Sequence, residues 1–107
     1  MEAAPMPHLC RLVLLVALFA APDALASADL ARSKNCVACH SAERRMIGPP
    51  YAAIAGRYAD DGAAVRTLSE RVVAGTSGNW GQMPMPPQAG LSPEEAEALV
   101  RWILSHR

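Results

Sequence analysis

The sequence predicts an all-α domain, and three observations carry that prediction. Apolar residues recur at helical spacing in two segments, Val65–Leu68–Val72 and Ala96–Leu99–Val100–Ile103. The second segment opens on a complete helix-start signal, Ser92-Pro93-Glu94-Glu95. No stretch of the 107 residues carries a strand signal of comparable strength.

The N-terminus stands apart from that domain. Arg11 precedes an unbroken apolar run from Leu12 to Ala21, which Pro22 ends. The run matches the apolar region of a secretory signal and is about half of the roughly 20 residues that span a bilayer. Ala24-Leu25-Ala26 fits a small-x-small cleavage site, and Ala26-Ser27-Ala28 fits nearly as well. Residues 1–26 therefore read as a cleavable signal peptide, with cleavage after Ala26 or Ala28, and residues 27–107 as the exported domain. Cys10 falls inside the signal behind Pro7-His8-Leu9, which is no lipidation box, so Cys36 and Cys39 are the cysteines that remain.

A first short helix is predicted from about Ala28 to Lys34. Ser41 to Pro50 is irregular, because Gly48-Pro49-Pro50 cannot continue a helix. A second short helix fits Tyr51 to about Arg57. The third, through Val65, Leu68 and Val72, has Asp60 or Asp61 as its candidate cap and Gly75 as its exit. Thr76 to Gly90, rich in glycine and proline around one tryptophan, reads as a long loop, and such a loop in a small domain is usually functional. In the last helix Ser92 is the N-cap, Pro93 is at N1 and Glu95 is at N3.

Composition limits what such a domain does alone. Aromatic residues make up 5% of the chain, a thin supply for an unaided core of this size. Lys and Arg total 10 against 10 Asp and Glu, and Lys34 is the only lysine, so no basic tract or aromatic platform points to nucleic acid.

Cys36-Val37-Ala38-Cys39-His40 supplies the missing core. C-x-x-C-H is the haem-attachment pattern: each thiol adds to one vinyl group, and the adjacent histidine lies where its imidazole binds iron. A redox dithiol would require a βαβ context, which is missing here. A zinc site needs four ligands, and the exported domain offers only His40 and His106 beside the two cysteines. One covalent haem c, placed outside the cytoplasm by the haem-attachment machinery, is the reading that remains.

The second axial ligand has four candidates: Met46, Met83, Met85 and His106. Met46 is too near His40 in the chain to wrap around a haem, and His106 is expected to be a frayed, solvated end of the last helix. Gln82-Met83-Pro84-Met85-Pro86-Pro87 is a stiff extended strap able to present a sulfur. Spacing does not choose between Met83 and Met85.

These segments, together with Met46-Ile47-Gly48-Pro49, Trp80-Gly81 and the closing Trp102-Ile103-Leu104-Ser105, resemble the small single-haem bacterial cytochromes c of the cytochrome c-551 type. The resemblance covers essentially all of the exported domain. It implies the small class I cytochrome c fold, about four short helices wrapped around one covalent haem. It places the sixth ligand on Met85, opposite His40, and puts the carbonyl that orients His40 on Pro49. Arg71 and Trp80 fall at positions that contact a haem propionate.

The implied function is outer-sphere, one-electron transfer by a monomeric, periplasmic carrier that is not an enzyme and whose exported chain is not inserted in the membrane. An apolar collar of Val37, Ala38, Met46, Met83, Pro84 and Pro86 would dock respiratory redox proteins, with a cytochrome bc1 complex as donor and an oxidase or nitrite reductase as acceptor. Two positions differ from the family pattern. Gln88 stands where an asparagine commonly supports the methionine ligand. Ala31 stands where a larger aromatic often packs, which implies a looser first helix.

Overall fold

The computed structural model describes Ala3, Ala4 and residues 23–107. The apolar run assigned to the signal lies outside the described residues. Within them the order is α1 (Asp23–Ser33), a 3-10 turn (Cys36–Ala38), α2 (Tyr51–Arg57), α3 (Ala64–Ala74) and α4 (Pro93–Leu104). The described residues contain no strand, only one isolated antiparallel bridge between Thr76 and Met85. No described helix is long and apolar enough to cross a membrane.

α4 is the hub: α1, α2 and α3 each pack against it. Its start matches the sequence signal. The Ser92 hydroxyl accepts from the Glu95 amide at 3.1 Å, and the Glu95 carboxylate accepts from the Ser92 amide at 3.0 Å. That backbone donor holds the Glu95 carboxyl below its ordinary value. α2 has the predicted bounds, and α3 leaves through Gly75 as expected.

Other boundaries differ. α1 begins at Asp23, ahead of the predicted Ala28. Asp60 and Asp61 do not cap α3, whose N-cap is Ala63. Asp61 is two residues too early, and its carboxylate accepts from the Ala63 amide at 2.9 Å, closing a side-chain turn ahead of the helix. α1 is not loose at Ala31, which is 1% exposed and clusters with Leu91 and Leu99. Its small side chain packs among those residues where α1 meets α4.

Leu99 and Val100 are the largest side chains buried completely among the described residues. Leu68, Val72, Ile54 and Ile103, which a self-sufficient core would enclose, line a cleft instead.

Candidate functional site

The cleft is framed by the 3-10 turn, the segment after it, α2, α3, the loop from Thr76 to Gln88 and one face of α4. Every predicted site residue lines it: Cys36, Cys39, His40, Pro49, Arg71, Trp80 and Met85. Met46 and His106 do not.

Local hydrogen bonds build the attachment motif. Asn35 takes a left-handed conformation, φ 64°, which asparagine tolerates better than most residues. The following turn closes through Cys39 and His40 amides on the Cys36 carbonyl, at 3.1 and 3.0 Å. One short turn thereby carries Cys36, Cys39 and His40 to the same cleft. Burial raises the Cys36 thiol above its ordinary value, opposed by a backbone hydrogen bond and reinforced by Cys39.

His40 is held from two sides. Its Nδ1 lies 2.7 Å from the Pro49 carbonyl oxygen. A carbonyl only accepts, so Nδ1 carries the proton and Nε2 keeps its lone pair free for a metal. The Gly48 amide donates to the Cys39 carbonyl at 2.8 Å, which draws this segment under the imidazole. A Cβ at Gly48 would lie 2.5 Å from His40 Cε1.

The methionine strap is held at both ends. Thr76 and Met85 exchange backbone hydrogen bonds of 3.0 and 2.8 Å. The Gln88 amide donates to the Val72 and Val73 carbonyls at the end of α3. Gly75 makes this approach possible, since its φ is +79° and a Cβ there would meet Pro87 N at 2.9 Å. Met83 also lines the cleft but is 68% exposed, whereas Met85 is half-buried at the bridge. The Gln88 side-chain amide donates to the Pro86 carbonyl at 3.3 Å and thus closes on its own strap.

At the loop side, Arg71 donates to the Tyr58 hydroxyl at 3.1 Å. The Arg57 guanidinium sits 4.6 Å over the Trp80 ring and donates to the Asn79 carbonyl. Arg57 does not line the cleft but holds Trp80, which does, and sequence reasoning missed this contact because the position of Arg57 on α2 gives no sign that it reaches the loop. Arg57→Ala is expected to lower stability by about 1–2 kcal/mol through loss of a cation–π contact and one hydrogen bond. Arg57→Lys should restore only part, because an ammonium lacks the planar stacking face. Denaturant titration of the two variants checks this.

Behind His40 the structure places an aromatic cluster that the sequence did not disclose. Tyr51 stacks on His40 at 5.8 Å and meets Trp102 and His106 at 5.2 Å each. His106 is therefore not frayed: its ring stands edge-on to Trp102 at 4.6 Å, and Nδ1 donates to the Trp102 carbonyl at 2.9 Å. Tyr51 is 4% exposed, and its hydroxyl is buried without a partner among the described residues. Burial, with a smaller contribution from Cys36, pushes that hydroxyl from 10.0 up to about 12. A raised folded-state value means stability is full below about pH 10 and falls as pH rises toward 12. Tyr51→Phe removes an unsatisfied donor, so it should stabilise the fold by roughly 1 kcal/mol and abolish this alkaline loss. Thermal melts at neutral and alkaline pH test both effects.

The cleft fits a haem on this structure's own features. It is largely apolar and leaves the domain's core incomplete. It presents two thiols and an imidazole from one turn, and its backbone leaves no room for a side chain beneath that imidazole.

Comparisons with known proteins agree. A family model described as Cytochrome c matches residues 24–107. The chain is similar to cytochrome c-552 of Nitrosomonas europaea, with 46% identity over 89 residues, covering 83% of this chain and 86% of that protein. It is similar to cytochrome c-551 of Allochromatium vinosum, with 47% identity over 88 residues, covering 82% and 94%. Among solved structures, wild-type Nitrosomonas europaea cytochrome c552 superposes with a TM-score of 0.73 at 45% identity, covering 75% of this chain and 99% of that one. The class 1 cytochrome MtoD of Sideroxydans lithotrophicus gives 0.67 at 30% identity, covering 80% and 98%.

Proposed function

The chain belongs to the cytochrome c family, and from that membership we propose a periplasmic electron carrier whose iron is held between His40 and Met85. The family binds one covalent haem c, for which Cys36 and Cys39 are this chain's attachment pair. The observation that carries the reading is the double restraint of the cleft: His40 is fixed by Pro49, and Met85 is fixed by its bridge to Thr76.

The haem supplies an iron that exchanges one electron between ferric and ferrous states. The residues around it hold that centre still. Cys36 and Cys39 tether the cofactor, and the Pro49 carbonyl orients His40 and strengthens it as a donor. The Met85 thioether, a soft ligand, would hold the iron opposite the attachment turn, favour its reduced state and keep substrates from it. The donors on Arg71 and Trp80 suit a propionate carboxylate. Val37, Met46, Ile47 and Met83 are exposed apolar side chains. They suit brief docking to a respiratory donor such as a cytochrome bc1 complex and an acceptor such as an oxidase or nitrite reductase, through the small interfaces of transient redox pairs. Export through residues 1–26 would deliver the chain to the compartment where haem is attached.

The red-edge spectrum of the native ferric protein tests this function. A sulfur–iron charge-transfer band, with ferrous protein that resists carbon monoxide, is the expected result. A missing band with rapid carbon monoxide binding would instead identify an open-site sensor or enzyme.

A further inference from the structure

Two junctions satisfy the small-x-small pattern, Ala26–Ser27 and Ala28–Asp29, and the pattern alone ranks them almost equally. The fold separates them. With residues 1–26 still attached, Ser27 is 4% exposed, the only buried polar residue among the described ones, and its hydroxyl lies 3.5 Å from the Ala98 carbonyl oxygen of α4. Ala31, one turn further on the same helix face, is 1% exposed, whereas Asp29 and Arg32 face solvent as an ion pair. The face of α1 that packs on α4 therefore includes Ser27.

We propose that the export peptidase cuts between Ala26 and Ser27, so that the carrier begins at Ser27. This rests on the export reading and refines it. Cleavage there keeps the whole Ser27–Ala31 stripe and leaves serine, a preferred N-cap residue, at the start of the helix. It also keeps Asp29 in the first turn, where a carboxylate complements the helix dipole. Cleavage after Ala28 would discard Ser27, bare the α4 surface beneath it and leave little more than one turn of α1. The peptidase acts on extended chain, so it works before α1 forms. Once α1 has docked, the Ala28–Asp29 bond lies within a packed helix and is shielded from a second cut.

The test is the intact mass of haem-bearing protein recovered from the periplasm of a bacterial host that attaches haem, with the full chain expressed behind its own leader. The expected mass is that of residues 27–107 plus one haem. A chain beginning at Asp29 would overturn this inference while leaving export intact. A haem-bearing chain that keeps residues 1–26 would overturn both. Ala28→Gln blocks the later junction and leaves the earlier one usable, so processing at Ser27 is expected to persist, and its loss would also sink the proposal. A chain supplied with a leader that releases Asp29 directly should show a folding equilibrium constant reduced by about tenfold, of the order of losing one cap. Equal stability of the two chains would remove the physical basis for the choice.

Discussion

Met85→Ala should abolish the sulfur–iron charge-transfer band, and Met83→Ala should leave it in place. The two side chains sit in one strap and line one cleft, so the contrast depends on how the backbone holds them. Met85 is pinned at its own amide and carbonyl by Thr76, and it is half-buried. Met83 has no such bridge among the described residues and is 68% exposed. On the proposed ligation, loss of the thioether removes the ligand that favours ferrous iron, and axial ligands set haem potentials over roughly 0.8 V, so the midpoint potential should fall by on the order of 0.1 V or more. The vacated position should bind carbon monoxide in the ferrous state. With the haem covering the half-buried side chain, stability should drop by about 2–5 kcal/mol as for a buried Met→Ala, with the lost iron bond in addition. Visible spectra and voltammetry of both variants check this, and band loss in Met83→Ala alone would reverse the ligand assignment.

How far the sequence discloses this site depends on the range of the forces that make it. α4 was legible almost to the residue, because its capping box, its N1 proline and its apolar repeat are all local. The C-x-x-C-H turn was legible because two thioethers and a histidine have to share one short stretch of chain. Asp61 misled because an acidic residue ahead of a helix looks like a cap until the backbone shows which amide it reaches. The Arg57–Trp80 contact and the Tyr51–His106 cluster join segments far apart in the chain, and no local pattern encodes them. Ala31 shows the same limit: a small residue reads as lost packing until its cluster with Leu91 and Leu99 is known.

The thin core and the open apolar cleft have one physical origin. Among the described residues only Leu99 and Val100 are large and completely enclosed, so the apolar faces of α2, α3 and α4 need the cofactor between them. A domain of this size with so little core should not hold its fold without the haem. Far-UV circular dichroism of a Cys36→Ala/Cys39→Ala chain produced without haem should show loss of most helix, and retained native helicity would contradict that dependence.

Gly48→Ala should disturb the proposed iron ligand His40, although it adds a single methyl group. The new Cβ would lie 2.5 Å from His40 Cε1 and 2.8 Å from Nδ1, inside any real contact distance. Neither side can yield cheaply. The Gly48 amide is tied to the Cys39 carbonyl at 2.8 Å, and the imidazole is tied to Pro49 at 2.7 Å. In the haem-bearing protein the imidazole would also be tied to iron. Tyr51 stacks on it at 5.8 Å, so the ring cannot simply tilt away. Either the Pro49 hydrogen bond or the backbone of the turn must break. Overpacking of this kind costs about 1–3 kcal/mol, and loss of the orienting carbonyl weakens His40 as a ligand besides. The expected result is a poor yield of haem-bearing protein and, in what is recovered, a shifted midpoint potential. Gly56→Ala is the control, because nothing lies within 4 Å of a Cβ there and α2 gains helix propensity. A Gly48→Ala protein with native yield, spectrum and melting temperature would show that the imidazole is free to move, and the restraint assigned to this turn would be wrong.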